Sequence, residues 1–182
     1  MRRRRAVTLL EMVAALTILA AVSAATVSLY WTGQRAHRRA RFYSEAQTDI
    51  RDTLRRITRT ARTSECVMAQ GTLGTLSGLT SNTYQVVLRV PQGASPAIEC
   101  RYYVSNGMLY QQLSTQSAPG RRLLSGVVSL TFGYYRTLAG TRTSVAGAPA
   151  SATEIEIVLR VRNASVTTGL TGYVSIRTAL TG

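Results

Sequence analysis

The chain has 182 residues, with 22 basic residues against 8 acidic ones and a formal net charge of +14. All the basic residues are arginine, and a balance of this kind draws a protein to anionic surfaces. Two cysteines and one histidine exclude a tetrahedral structural zinc site within one chain, so neither a metal nor a cofactor is expected.

The N-terminus opens with Arg2 to Arg5, followed by Ala6-Val7-Thr8-Leu9-Leu10-Glu11. From Met12 to Trp31 there is no Asp, Glu, Lys, Arg or His. At 1.5 Å per residue such a helix covers ~30 Å, the thickness of a hydrocarbon core. Tyr30 and Trp31 close the run with rings suited to a membrane interface, and the leading arginines favour the cytoplasmic side. Arg35, Arg38, Arg39 and Arg41 crowd the other flank, so charge counting alone leaves the orientation open. Glu11 is the anomaly, because an ionised acid in a bilayer costs roughly 2.5 to 3.5 kcal/mol and marks a paired or functional position.

Three readings of this segment compete. A secretory signal peptide would use Val22-Ser23-Ala24 as its small-residue cleavage site, but it puts Glu11 inside the apolar core and leaves Thr26 to Trp31 without a purpose. A plain transmembrane anchor has the same difficulty with Glu11. The third reading is a resemblance. Arg5-Ala6 followed by Val7-Thr8-Leu9-Leu10-Glu11 and an uninterrupted apolar helix resembles the leader of type IV prepilins and type II secretion pseudopilins.

That resemblance implies a leader over residues 1–6, cleavage by prepilin peptidase between Ala6 and Val7, and methylation of the new N-terminus at Val7. Ala6 stands where the family more often has glycine. It also implies that Glu11, at the fifth mature position, pairs with the Val7 amine of a neighbouring subunit. Such a pair offsets the desolvation of both charges only when both are present, which favours stacking in one register. Loss of Arg2 to Arg5 takes four from +14 and leaves the mature chain at +10.

Beyond the membrane segment (7–31), an amphipathic helix is expected over 32–65. Phe42 or Tyr43, Ala46, Ile50, Leu54, Ile57 and Ala61 recur every three or four residues, as one buried stripe requires. Unbroken from Val7 to about Arg62 the helix would run ~84 Å, with Gly33 the one obvious place for a bend. Asp52 can reach Arg55 or Arg56 on its exposed face.

After Cys66 the period shifts to two. Gly71 to Asn82 reads as a flexible connector. Strands are expected at Tyr84–Val90, Ile98–Val104, Met108–Leu113, Val127–Arg136, Glu154–Val161 and Tyr173–Thr178. Asn106-Gly107 predicts a type I′ hairpin turn, since both residues accept positive φ. The fold expected is α+β: a long N-terminal helix, half in the membrane and half amphipathic, packed on an antiparallel, β-rich, pilin-like domain over 66–182.

The order Arg101-Tyr102-Tyr103-Val104-Ser105-Asn106-Gly107-Met108-Leu109-Tyr110, then Leu123 to Val127, Leu130 to Tyr134 and Ile155 to Leu159, resembles J-type minor pseudopilins and PilW-type minor pilins. It implies a subunit near the tip of a type II secretion pseudopilus, made with other minor and major pseudopilins on an inner-membrane assembly platform. The domain would then lie in the periplasm or outside. A minor type IV pilin serving assembly, adhesion, motility or DNA uptake is the alternative, and a secreted binding domain is another.

Cys66 and Cys100 could staple helix to sheet in an oxidising compartment, a roughly 35-residue loop worth on the order of 3 to 4 kcal/mol; two separate thiols are the alternative. No enzymatic constellation emerges. His37 lies among arginines as a solvated residue, and Glu154 and Glu156 read as a solvated strand edge. Arg35, Arg38, Arg39 and Arg41, with Arg51, Arg55, Arg56, Arg59 and Arg62, read first as a solvated face. Anionic lipid or DNA phosphates are the functional alternatives.

Overall fold

The computed structural model describes residues 8–73, 76–93, 95–163 and 166–176. One helix, α1 (Leu9–Thr63), precedes the strands β1 (Cys66–Val67), β2 (Gln70–Leu73), β3 (Leu76–Thr80), β4 (Gln85–Gln92), β5 (Ser95–Ser105) and β6 (Met108–Leu113). Then follow β7 (Arg121–Ser125), β8 (Val127–Leu138), β9 (Thr141–Ser144), β10 (Glu154–Asn163) and β11 (Val166–Ser175). This is the expected α+β class, a long N-terminal helix packed on antiparallel sheets. Two compact units divide the chain, Met1–Arg41 and Phe42–Gly182.

In the first unit α1 is continuous through Gly33, so no helical turn is lost there. Every side chain from Thr8 to Gly33 is exposed, and α1 contains a stretch long and apolar enough to cross a membrane. Its threonine hydroxyls bond within the helix: Thr17 donates to Ala14 O at 2.8 Å, Thr26 to Val22 O at 2.8 Å and Thr32 to Ser28 O at 2.9 Å. That economy lets polar side chains sit in an apolar surface without an unpaired donor.

In the second unit α1 buries the predicted stripe of Ala46, Ile50, Leu54, Ile57 and Ala61, together with Thr53, while Phe42 and Tyr43 stay exposed. This stripe packs into one core with residues from two sheets, among them Leu88, Tyr102, Leu109, Phe132, Ile157 and Leu159. The five-stranded sheet has the order β1-β4-β5-β6-β7 and the four-stranded sheet β11-β10-β8-β9. Ile155, Ile157, Leu159 and Val161 alternate into the core as the sequence predicts. Asn106 (φ 50°) and Gly107 (φ 69°) make the predicted turn between β5 and β6.

Three expectations need correction. The presumed connector from Gly71 to Asn82 carries the β2–β3 hairpin, whose backbone at Gly71 lies against Val87 and Glu99 of the larger sheet. β11 begins well before Tyr173, at Val166, because it pairs with all of β10. β10 is therefore an inner strand, and its acids are engaged. Glu154 pairs with Arg142 at 3.1 Å, and Glu156 accepts from the hydroxyls of Tyr135 and Tyr173, each at 2.8 Å.

The proposed staple is not made, since Cys66 and Cys100 are free thiols. In the sheet register Cys66 stands opposite Arg89, which faces Glu99, whereas Cys100 stands opposite Leu88, which faces Val67. The two cysteines thus point to opposite faces of strands separated by β4. Two inter-strand steps are about 9.6 Å, beyond the roughly 7 Å that a disulfide spans between Cα atoms.

Candidate functional site

The first turn of α1 is closed by a reciprocal pair. Thr8 precedes the first helical residue, and Glu11 stands three residues on, where a capping box places its acid. The Thr8 N–H donates to Glu11 Oε2 at 3.1 Å, the Glu11 N–H donates to Thr8 Oγ1 at 3.3 Å, and the Thr8 hydroxyl reaches Glu11 Oε2 at 3.4 Å. Each side chain satisfies a backbone amide that a helix N-terminus otherwise leaves open. The carboxylate also lies at the positive end of the helix dipole.

Glu11 therefore has a partner inside its own chain. The Thr-x-x-Glu spacing carried that signal, although the sequence reading assigned the acid only to a contact between chains. Oε2 receives both bonds from Thr8, and among the described residues Oε1 receives none. Ala6 and Val7, the expected cleavage and methylation positions, lie outside the described residues.

Arg35, Arg38, Arg39 and Arg41 are all exposed on α1. At 100° per residue, Arg35, Arg38 and Arg39 fall within an arc of about 100°, with Arg41 about 60° beyond it. They form a broad band, and His37 is exposed among them. Arg55 takes the ion pair with Asp52, at 3.5 Å.

Within the second unit a buried polar chain joins helix to sheet. The Tyr102 hydroxyl donates to Thr60 Oγ1 at 2.9 Å and accepts from Gln111 Nε2 at 2.9 Å; Gln111 Nε2 also lies 3.4 Å from Cys100 Sγ. Burial pushes the Tyr102 phenol well above the usual tyrosine range. It does the same to Tyr134, whose hydroxyl donates to Asn82 O at 2.9 Å and Gln85 O at 3.0 Å. Burial likewise raises the thiols of Cys66 and Cys100, so both are protonated and poorly nucleophilic at neutral pH. These groups hold the fold together and do not converge on a reaction centre. Among the described residues no three of His, Cys, Asp and Glu gather as metal ligands.

Residues 1–27 match a family model described as the prokaryotic N-terminal methylation motif. No curated protein and no solved structure matches the chain. The motif supports a type IV pilin or pseudopilin, implies processing by prepilin peptidase and assembly with other pilins, and is consistent with a membrane-anchored subunit.

Proposed function

We propose that this chain is a structural minor pseudopilin. Prepilin peptidase cuts between Ala6 and Val7, Val7 is methylated, and the subunit enters a type II secretion pseudopilus near its tip through α1. The observation that carries this reading is the methylation motif over residues 1–27, set on a helix whose side chains are exposed from Thr8 to Gly33. An apolar surface of that kind is stable only in lipid or against other apolar helices, the two environments that a subunit passing from membrane to fibre occupies in turn.

Glu11 serves both stages. In the membrane its Oε2 caps α1. In the fibre Oε1 accepts the Val7 amine of the neighbouring subunit, and the two charges offset each other's desolvation. The minor, J-type assignment is supported by the strand order and by the Asn106-Gly107 turn between β5 and β6. Its remaining partners are the other minor and major pseudopilins and the inner-membrane assembly platform.

Mass spectrometry of the mature N-terminus tests the pathway. The expected result is a chain starting at Val7 and carrying one methyl group on its amine. A chain starting at Ala25 would instead identify an ordinary signal peptide and overturn the assignment. The second reading, a minor type IV pilin that takes up DNA, is favoured by the exposed band at Arg35, Arg38 and Arg39. Salt-sensitive binding of duplex DNA that is lost when this band is changed to alanine separates the two.

A further inference from the structure

The longest sheet edge in the second unit is also the least guarded. Among the described residues the two larger sheets end on β1, β7, β9 and β11. β1 has 2 residues, β7 carries Arg121 and Arg122, and β9 has 4 residues including Arg142. Short or charged edges of this kind resist pairing with other chains. β11 instead runs for 10 residues and contains neither a charge nor a proline.

Its outward backbone is identifiable. The Ile176 N–H donates to Thr153 O at 2.9 Å, on the β10 side. By antiparallel alternation, Thr167, Gly169, Thr171, Tyr173 and Ser175 turn their amides and carbonyls the other way. Such a row is a template for an added strand.

Beside this edge α1 sets a line of cations. Arg51, Arg55, Arg59 and Arg62 are exposed and fall within an arc of about 80° at 100° per residue. With Leu54, Leu170 and other residues they line a groove of about 660 Å³ between α1 and β11, and no acidic side chain is on its wall. At its floor Gly172 faces Leu54, with room for a Cβ at an ordinary contact distance of 3.8 Å from Leu54 Cδ2.

We propose that this groove binds an extended, acidic segment of a different protein chain, which adds to β11 as a further strand and sets its carboxylates against the arginine line. The groove meets β11 at Leu170 to Gly172, so the carboxylates of the added strand that face the arginines are those beside this stretch. A second copy of this chain does not fit. Of its 8 acidic residues only Glu154 and Glu156 have strand spacing, and they lie in β10, already paired on both sides. The groove belongs to the second unit, so it binds whether or not the chain enters a fibre.

The test is fluorescence anisotropy on the full chain in detergent, with labelled acetyl-(Thr-Glu)5-amide as the probe. Four comparisons accompany it: the same peptide N-methylated at its central residues, its (Thr-Lys)5 counterpart, a short DNA duplex, and the Arg55→Ala/Arg59→Ala variant. The acidic peptide is expected to bind, with about tenfold or greater loss on N-methylation and again in the arginine variant, and the lysine peptide is expected not to bind. Equal binding of the N-methylated peptide would reduce the contact to charge alone and overturn strand addition. Undiminished binding by the variant would remove the arginine line from the site, and a short DNA duplex that binds the variant and the parent as the peptide does would assign the surface to polyanions at large. Any of these results, or failure of the acidic peptide to bind the parent chain, would overturn the proposal.

Discussion

Glu11 illustrates how one side chain can serve two partners. Its cap within the chain needs an acceptor oxygen, which glutamine also supplies, whereas its proposed contact with a neighbouring amine needs the negative charge. Glu11→Gln and Glu11→Ala therefore separate the roles. Both variants should insert and be processed, Gln should keep the first turn of α1 that Ala weakens by about 1 kcal/mol, and both should enter fibres poorly. The measurement is incorporation into sheared fibres relative to the membrane pool, and normal incorporation of Glu11→Gln would defeat the pairing mechanism. Tyr102 has the opposite character. It is fully buried and its hydroxyl joins α1 to β5 and β6, so its role is confined to one chain.

At the scale of elements, the joint between β7 and β8 is tightly constrained. Gly126 has φ +72°, a Cβ there would overlap Arg162 O, and its own carbonyl accepts the Arg162 N–H at 2.8 Å. Gly126→Ala combines a left-handed backbone with a steric clash and should destabilise the domain by at least about 2 kcal/mol, read as a lower urea midpoint with an unchanged slope. The elements legible in sequence were those with strong periodicity. The stripe from Ala46 to Ala61, β6 with its Asn106-Gly107 turn, and the apolar alternation of β10 all form where the residues place them. The elements missed lack that signal. β2 and β3 are built from Gly, Ser, Thr and Leu with one Gln, β7 and β9 are short edges containing arginine, and Gly169 and Gly172 interrupt the pattern of β11. Their positions follow from pairing with stronger neighbours, a tertiary effect that local propensity does not encode. The capping box was legible in Thr8 and Glu11, but the apolar context drew the interpretation toward another chain.

For the whole molecule, pH dependence has two limits of opposite sign. Hydrogen bonds from Tyr135 and Tyr173 hold Glu156 below its usual range. Its contribution is present above the unfolded carboxylate value and is lost as pH falls through the depressed folded value. Tyr102 and Tyr134 are raised by burial, so their contribution is complete below the unfolded value of about 10 and is lost as pH rises toward their folded values. Denaturation of the full chain in detergent should therefore show a plateau between these limits. Tyr135→Phe should weaken the acid limb. An unchanged acid limb would show that the exposed Glu156 cluster contributes nothing measurable.

The cap at Thr8 and Glu11 also bears on the timing of maturation. It fixes Leu9 as the first helical residue, leaving only Val7 between the cap and the bond proposed for cleavage. The start of the helix and the proposed cut thus lie a single residue apart, so that one short segment would answer in turn to the processing enzyme and to the neighbouring subunit.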